Sequence, residues 1–254
     1  MSQRTTCPEC DLRVGVAESE DGGPVEVDYC PRCGQRVKVP ALRVTEILHE
    51  ALASLFSLEV PILRTARDLL CGPGHVARAW ILGKRRSYIN PLKFVVVVGV
   101  IVALVYEPLM KLYAAVTPEG QAVVEVGLSH YATGYFAFVC IALLVPIACA
   151  LLALGPLFRV RASWLEWYVL GLYTYGLAAA LQLVIQFTIA QVPPGSARSW
   201  LLLLKGLLPL ALLAWGGFQF AGRAQRWNSF ALCIAAQLLF VGIIGAIAAV
   251  LGSG

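Results

Sequence analysis

Lys93-Phe94-Val95-Val96-Val97-Val98-Gly99-Val100-Ile101-Val102-Ala103-Leu104-Val105 is a single charge followed by unbroken apolar sequence, and it decides the fold class. The apolar stretch continues to Val116, close to the ~20 residues that an α-helix needs to cross ~30 Å of bilayer hydrocarbon. Comparable stretches run approximately from Tyr131 to Gly155, Trp164 to Gln191, Trp200 to Ala221 and Ser229 to Leu251. Composition points the same way. Hydrophobic residues make up 59% and charged residues 14% of the 254 positions, against roughly 45–50% and 25% in soluble domains. The chain reads as a mainly α, polytopic membrane protein in which residues 93–254 form a five-helix transmembrane bundle.

The polar, cysteine-paired N-terminus does not resemble a cleavable signal peptide, so insertion is expected to start from the first span. Short loops set the orientation. Lys84, Arg85, Arg86 and Lys93 precede the first span, Arg159 and Arg161 lie between the second and third, and Arg223 and Arg226 lie between the fourth and fifth. All fall on one side. The opposite loops carry Arg198 and the acids Glu119 and Glu125. The expected topology is N-terminus cytoplasmic and C-terminus outside.

Working outward toward the N-terminus, residues 1–40 contain Cys7-Pro8-Glu9-Cys10 and Cys30-Pro31-Arg32-Cys33-Gly34. Each C-x-x-C pair puts two thiols on one tight turn, and two such turns supply the tetrahedral sulfur cage that zinc prefers. Between them Leu12, Val14 and Val16 alternate with polar neighbours, as do Val25, Val27 and Tyr29 after Asp21-Gly22-Gly23-Pro24. Period two on both sides of a Gly-rich turn predicts a β-hairpin, completing a small zinc ribbon with Cys7, Cys10, Cys30 and Cys33 as ligands. A thiol redox pair is the competing reading, but that chemistry ordinarily uses one C-x-x-C at a helix N-terminus. Reduced thiolates also suit the cytoplasmic side, in agreement with the loop charges.

Charge narrows what the ribbon binds. Five basic residues stand against seven acidic ones through Pro40, a net of −2 within a whole-chain charge of +5. Nucleic-acid affinity requires a basic face, so a protein partner is expected instead.

Residues 41–92 read as amphipathic juxtamembrane helices. Val44, Ile47, Leu48, Ala51, Leu52, Leu55 and Phe56 share one helical face, a second helix begins at Pro61 and stops at Cys71-Gly72-Pro73-Gly74, and a short third runs from His75 to Leu82. Asn90 can cap and Pro91 can open the first span. These helices are too short to cross a bilayer. Either they lie in the interface, with Trp80 and Tyr88 at headgroup depth and Lys84, Arg85 and Arg86 against anionic lipid, or their apolar faces pack on the bundle as protein core.

Cys30-Pro31-Arg32-Cys33-Gly34-Gln35, an amphipathic stretch, Gly72-Pro73-Gly74 and then Gly83-Lys84-Arg85-Arg86-x-Tyr88-x-x-Pro91 together resemble an uncharacterised bacterial membrane family, domain of unknown function 3667. The resemblance covers roughly Cys30 to Phe94. It implies a bacterial envelope protein and carries no activity or catalytic residue with it, and with the expected topology the location is the bacterial cytoplasmic (inner) membrane.

Ionisable residues inside a membrane are functional candidates by default. Glu107 and Lys111 lie four apart in the first span with Pro108 between them, and Lys205 lies at similar depth in the fourth. They suggest an outer-leaflet polar cluster, the bland reading being that the lysines snorkel while Glu107 pairs locally. Gln182, Gln186, Gln219 and Gln237 read as interhelical hydrogen-bonding groups. Cys71, Cys140, Cys149 and Cys233 read as small apolar fillers. No hydrolase, P-loop, zincin or dinucleotide motif is present. The expected role is therefore a non-enzymatic adaptor, assembly factor or accessory subunit. A transporter or lipid-handling protein is the first alternative, and a thiol redox sensor the second.

Overall fold

The computed structural model describes residues 61–116, 136–160, 162–192 and 195–252, with scattered positions before 61 that include all four paired cysteines, Glu9, Leu12, Arg32, Gly34, Thr45 and Ile47. Two-residue strands β1 (Ala17–Glu18) and β2 (Pro24–Val25) pair antiparallel in register Ala17↔Val25. These two short strands flank the Gly-rich turn of the expected hairpin. The alternating positions 14, 16 and 27, the loop from 117 to 135, and most of the helix expected over 44–58 lie outside the described residues, although Thr45 and Ile47 are helical.

Seven α-helices follow among the described residues. They are α1 (Pro61–Cys71), α2 (Pro73–Ile81), α3 (Pro91–Val116), α4 (Phe136–Leu154), α5 (Trp164–Gln191), α6 (Ser196–Phe220) and α7 (Arg226–Gly252). Their boundaries follow local chemistry. Gly72 separates α1 from α2, and Gly83, at φ +105°, turns the chain after α2 as only glycine does without strain. Asn90 Oδ1 accepts the Leu92 amide at 3.0 Å and Pro91 takes the first helical position of α3, as expected. Ser163 and Glu166 form a reciprocal capping box at the start of α5. The fourth and fifth helices begin at Ser196 and Arg226 rather than at Trp200 and Ser229, because their polar first turns continue the helix outside the apolar stretch.

Helix α5 is the centre of the molecule. It packs against α1, α2, α3, α4 and α6, while α7 packs on α6 and α4. Its apolar residues lie all round rather than in one stripe, and Trp167, Val169, Leu170, Leu172 and Tyr173 are buried. Glycines set the closest approaches to this core. At Gly176 an added Cβ would meet the Phe94 ring of α3 at 2.8 Å. Pro108, Pro146 and Pro209 each lie inside a continuous helix.

Among the described residues two helices, Trp164–Ile189 and Ser196–Phe220, are long and apolar enough to cross a membrane, and α3 and α4 contribute shorter apolar stretches over Pro91–Tyr106 and Leu144–Leu154. Large apolar side chains are exposed on all five long helices, among them Leu104, Leu152, Val184, Leu203 and Leu238.

Trp80 corrects one expectation. Its ring is wholly buried rather than placed at headgroup depth, in a core shared with Pro73, Gly74, Val76 and Ala77 of α2. The physical reason is close helix approach: Gly74 lies so near α6 that a Cβ would meet Gly216 O at 2.1 Å and Phe220 N at 2.7 Å. Gln219 of α6 then accepts the Gly74 amide at 3.2 Å and donates to Cys71 O at 3.4 Å. Of the two readings of the short helices, packing as protein core describes α2.

Candidate metal centre

The four ribbon sulfurs converge. Cys7, Cys10, Cys30 and Cys33 place their Sγ atoms within 4.8 Å of one another, with Cys7 to Cys33 and Cys10 to Cys30 each at 3.6 Å. A metal ~2.3 Å from four tetrahedral sulfurs requires sulfur separations near ~3.8 Å, so the cage fits with slight contraction around an ion. The four cysteines are free thiols. Two tight turns create the geometry: the Cys7 amide donates to Leu12 O at 2.8 Å, and the Gly34 amide donates to Cys30 O at 2.8 Å with Gly34 at φ +68°.

Burial pushes the Cys30 thiol up, but the backbone amides of Cys33 and Arg32 and the neighbouring sulfurs pull it further down, to about 7. A thiol so placed gives up its proton to a metal near neutral pH. Cys7 is 0% and Cys30 2% exposed, so two of the four ligands are shielded from competing solvent. The site can hold a metal ion.

The cage rests on the turn that precedes α3. Glu9, between Cys7 and Cys10, accepts a hydrogen bond from the Ser87 hydroxyl. Arg86 reaches the other knuckle, its Nη1 lying 2.8 Å from where a Cβ on Gly34 would sit. Beyond these contacts every residue from Tyr88 to Asn90 is tied down. Tyr88 donates to Asp68 of α1 at 3.4 Å, the Ile89 amide donates to Thr65 at 3.1 Å, Tyr173 of α5 donates to Ile89 O, and Asn90 donates to Ile47 O at 3.0 Å. Burial and the nearby Asp68 carboxylate raise the Tyr88 phenol above its ordinary 10.0. The segment 87–90 thus joins the ribbon, the helix containing Ile47, α1 and the α5 core.

A family model described as protein of unknown function (DUF3667) matches residues 61–102. This stretch is similar to that family. The DUF3667 match covers α1, α2, the basic turn and the first part of α3, whereas the resemblance drawn from sequence began at Cys30 and ended at Phe94. No curated protein and no solved structure matches the chain. The DUF3667 stretch is the seat of the ribbon, and the cysteines themselves lie outside the matched residues.

The other sequence candidates are placed as follows. Lys84 is half-buried in the turn, Arg85 lies over the Trp80 ring at 4.8 Å, and Arg86 is exposed against the ribbon. Lys111 is exposed, and the Glu107 side chain lies outside the described residues. Lys205 bonds Gln186 of α5 at 2.7 Å, and Gln182 donates to Lys205 O at 3.0 Å. Lys205 is therefore a member of an α5–α6 polar seam, and both glutamines take the interhelical role expected of them. Gln219 does the same between α6 and α2. Cys233 is buried against Gly217, while Cys71 and Cys149 are exposed. Nothing in the sequence singled out Glu9 or Ser87. The available signal was charge: an acid within a net-acidic cysteine-paired segment and a basic triplet before α3 are natural partners.

Proposed function

We propose that this chain is a bacterial inner-membrane protein whose cytoplasmic zinc ribbon is seated on the membrane bundle and serves as a docking module for a protein partner, the chain acting as a non-enzymatic adaptor, assembly factor or accessory subunit. The observation that carries this reading is the seat itself, with Glu9 on Ser87 and Arg86 on Gly34. A ribbon that only stabilised its own fold would need no such attachment. The zinc assignment is favoured by the all-sulfur donor set.

Five membrane spans are supported by the exposed apolar residues on every long helix, which water would not tolerate as a continuous surface. The basic loops share one end of the bundle. Gln225 of the α6–α7 connection bonds Arg159 O of the α4–α5 connection at 3.1 Å, and Arg78 reaches Phe220 O at 3.5 Å. That end carries the ribbon, and by the positive-inside rule it is cytoplasmic.

Affinity purification in mild detergent tests the docking role. The intact chain is expected to retain partners that a chain lacking residues through Pro40 loses; recovery of the same partners with both would overturn it.

A further inference from the structure

We infer that the basic turn Lys84–Ser87 is a binding site for the phosphate of an anionic lipid headgroup, and that Glu9 of the docked ribbon occupies it, so ribbon docking and headgroup binding exclude one another. This rests on the membrane reading above and deepens it.

Glu9 sits in the turn as a bound anion would. One carboxylate oxygen takes the Ser87 hydroxyl, while Oε2 is sealed from solvent and takes no hydrogen bond from the described residues. A buried anionic oxygen left without a donor loses its hydration without replacement. The fit of Glu9 is thus adequate but incomplete. A phosphate offers more acceptor oxygens to the same hydroxyl and to the cations beside it.

Those cations are engaged with the ribbon or held nearby. Arg86 lies over Gly34, where any side chain would obstruct it. Arg85 is folded over the ring of Trp80 in α2, and Lys84 is half-buried beside it. Ser87 is 6% exposed, so a headgroup reaches its hydroxyl only after the turn opens.

Long-range charge makes the exclusion mutual. The ribbon carries a net −2 before any metal-bound thiolates are counted. An anionic leaflet attracts a juxtamembrane run of three cations and repels an acidic module. One cationic turn therefore has two competing anionic claimants. The ribbon covers the turn beside neutral lipid and leaves it beside anionic lipid.

The test uses the full, zinc-loaded chain in nanodiscs of phosphatidylcholine alone, of phosphatidylcholine with phosphatidylglycerol, or of phosphatidylcholine alone with inorganic phosphate in solution. Hydrogen exchange is followed over residues 7–34 and 84–90. Phosphatidylglycerol is expected to speed ribbon exchange about tenfold or more, the scale of one charge-assisted hydrogen bond, and to slow exchange in the turn. Glu9→Gln is expected to open the ribbon similarly in phosphatidylcholine alone while keeping its zinc. Glu9→Gln removes the charge while its carbonyl can still accept from Ser87, whereas Ser87→Ala removes the hydrogen bond itself and must open the ribbon too. Opening by inorganic phosphate as well as by phosphatidylglycerol would reassign the ligand to free phosphate; opening by phosphatidylglycerol alone supports the headgroup. Equal exchange in all three conditions, or an E9Q ribbon that stays closed, overturns the inference. Failure to enter nanodiscs would instead overturn the membrane reading, a result visible before any exchange is measured.

Discussion

Cys30 is prepared as a metal ligand by its neighbours' backbone amides, which bring its thiol to about 7 within a cage of four sulfurs. Replacing it leaves three ligands and an open coordination position. Cys30→Ser is expected to abolish stoichiometric zinc, measured by elemental analysis, and to make the first forty residues protease-sensitive, because binding worth about 10–16 kcal/mol supplies most of the folding energy of such small modules. Tyr88 has the opposite character. Burial and Asp68 raise its phenol, so the neutral donor is favoured in the folded protein. The contribution is complete below the ordinary tyrosine value near ~10 and is lost as pH rises through the higher folded value. Ultraviolet titration should show a phenol ionising later than free tyrosine, and Tyr88→Phe should remove that step. The cluster of four cysteines was legible in the sequence because C-x-x-C spacing is a local constraint. Glu9 and Ser87 were not, since a separation of 78 positions leaves no periodic trace of the contact.

Helix α2 shows what element-level patterning can and cannot supply. Its existence was readable from the apolar spacing and its end from Gly83, but its start was expected at His75 rather than at Pro73, which takes the first helical position, and its burial was not readable at all. An amphipathic stripe demands an apolar environment without saying whether lipid or protein provides it. Gly74 and Gly216 decide the matter by letting two backbones meet. Gly74→Ala is expected to destabilise the protein by about 1–3 kcal/mol or more, because the new methyl would collide with the α6 backbone. Thermal unfolding in detergent would show it as a lowered midpoint. Gly206→Ala is the control: a Cβ there meets nothing within 4 Å, so the midpoint should hold or rise. In the α5–α6 seam, Lys205→Leu strands Gln186 but removes a charge, and its net cost is expected to stay near the ~0.6 kcal/mol typical of interhelical bonds.

At the scale of the molecule, the five proposed spans, an odd number, would place residues 1 and 254 on opposite sides of the membrane. A phosphatase that is active only outside the cytoplasm should work when fused after Gly254 and fail when fused before Met1; the reverse result would invert the proposed topology. The sequence by itself determined the helical class, the helix starts at Pro61, Pro91 and Trp164, the grouping of basic loops and the four-cysteine donor set. Each is written in local composition or in spacing along one element. Only the tertiary structure decided that α5 is the hub, that α2 is core rather than interface, that Lys205 belongs with Gln186, and that the ribbon sits on the turn before α3. These depend on glycine clearances and single hydrogen bonds between residues far apart in the chain, and such contacts impose no pattern on the sequence between them.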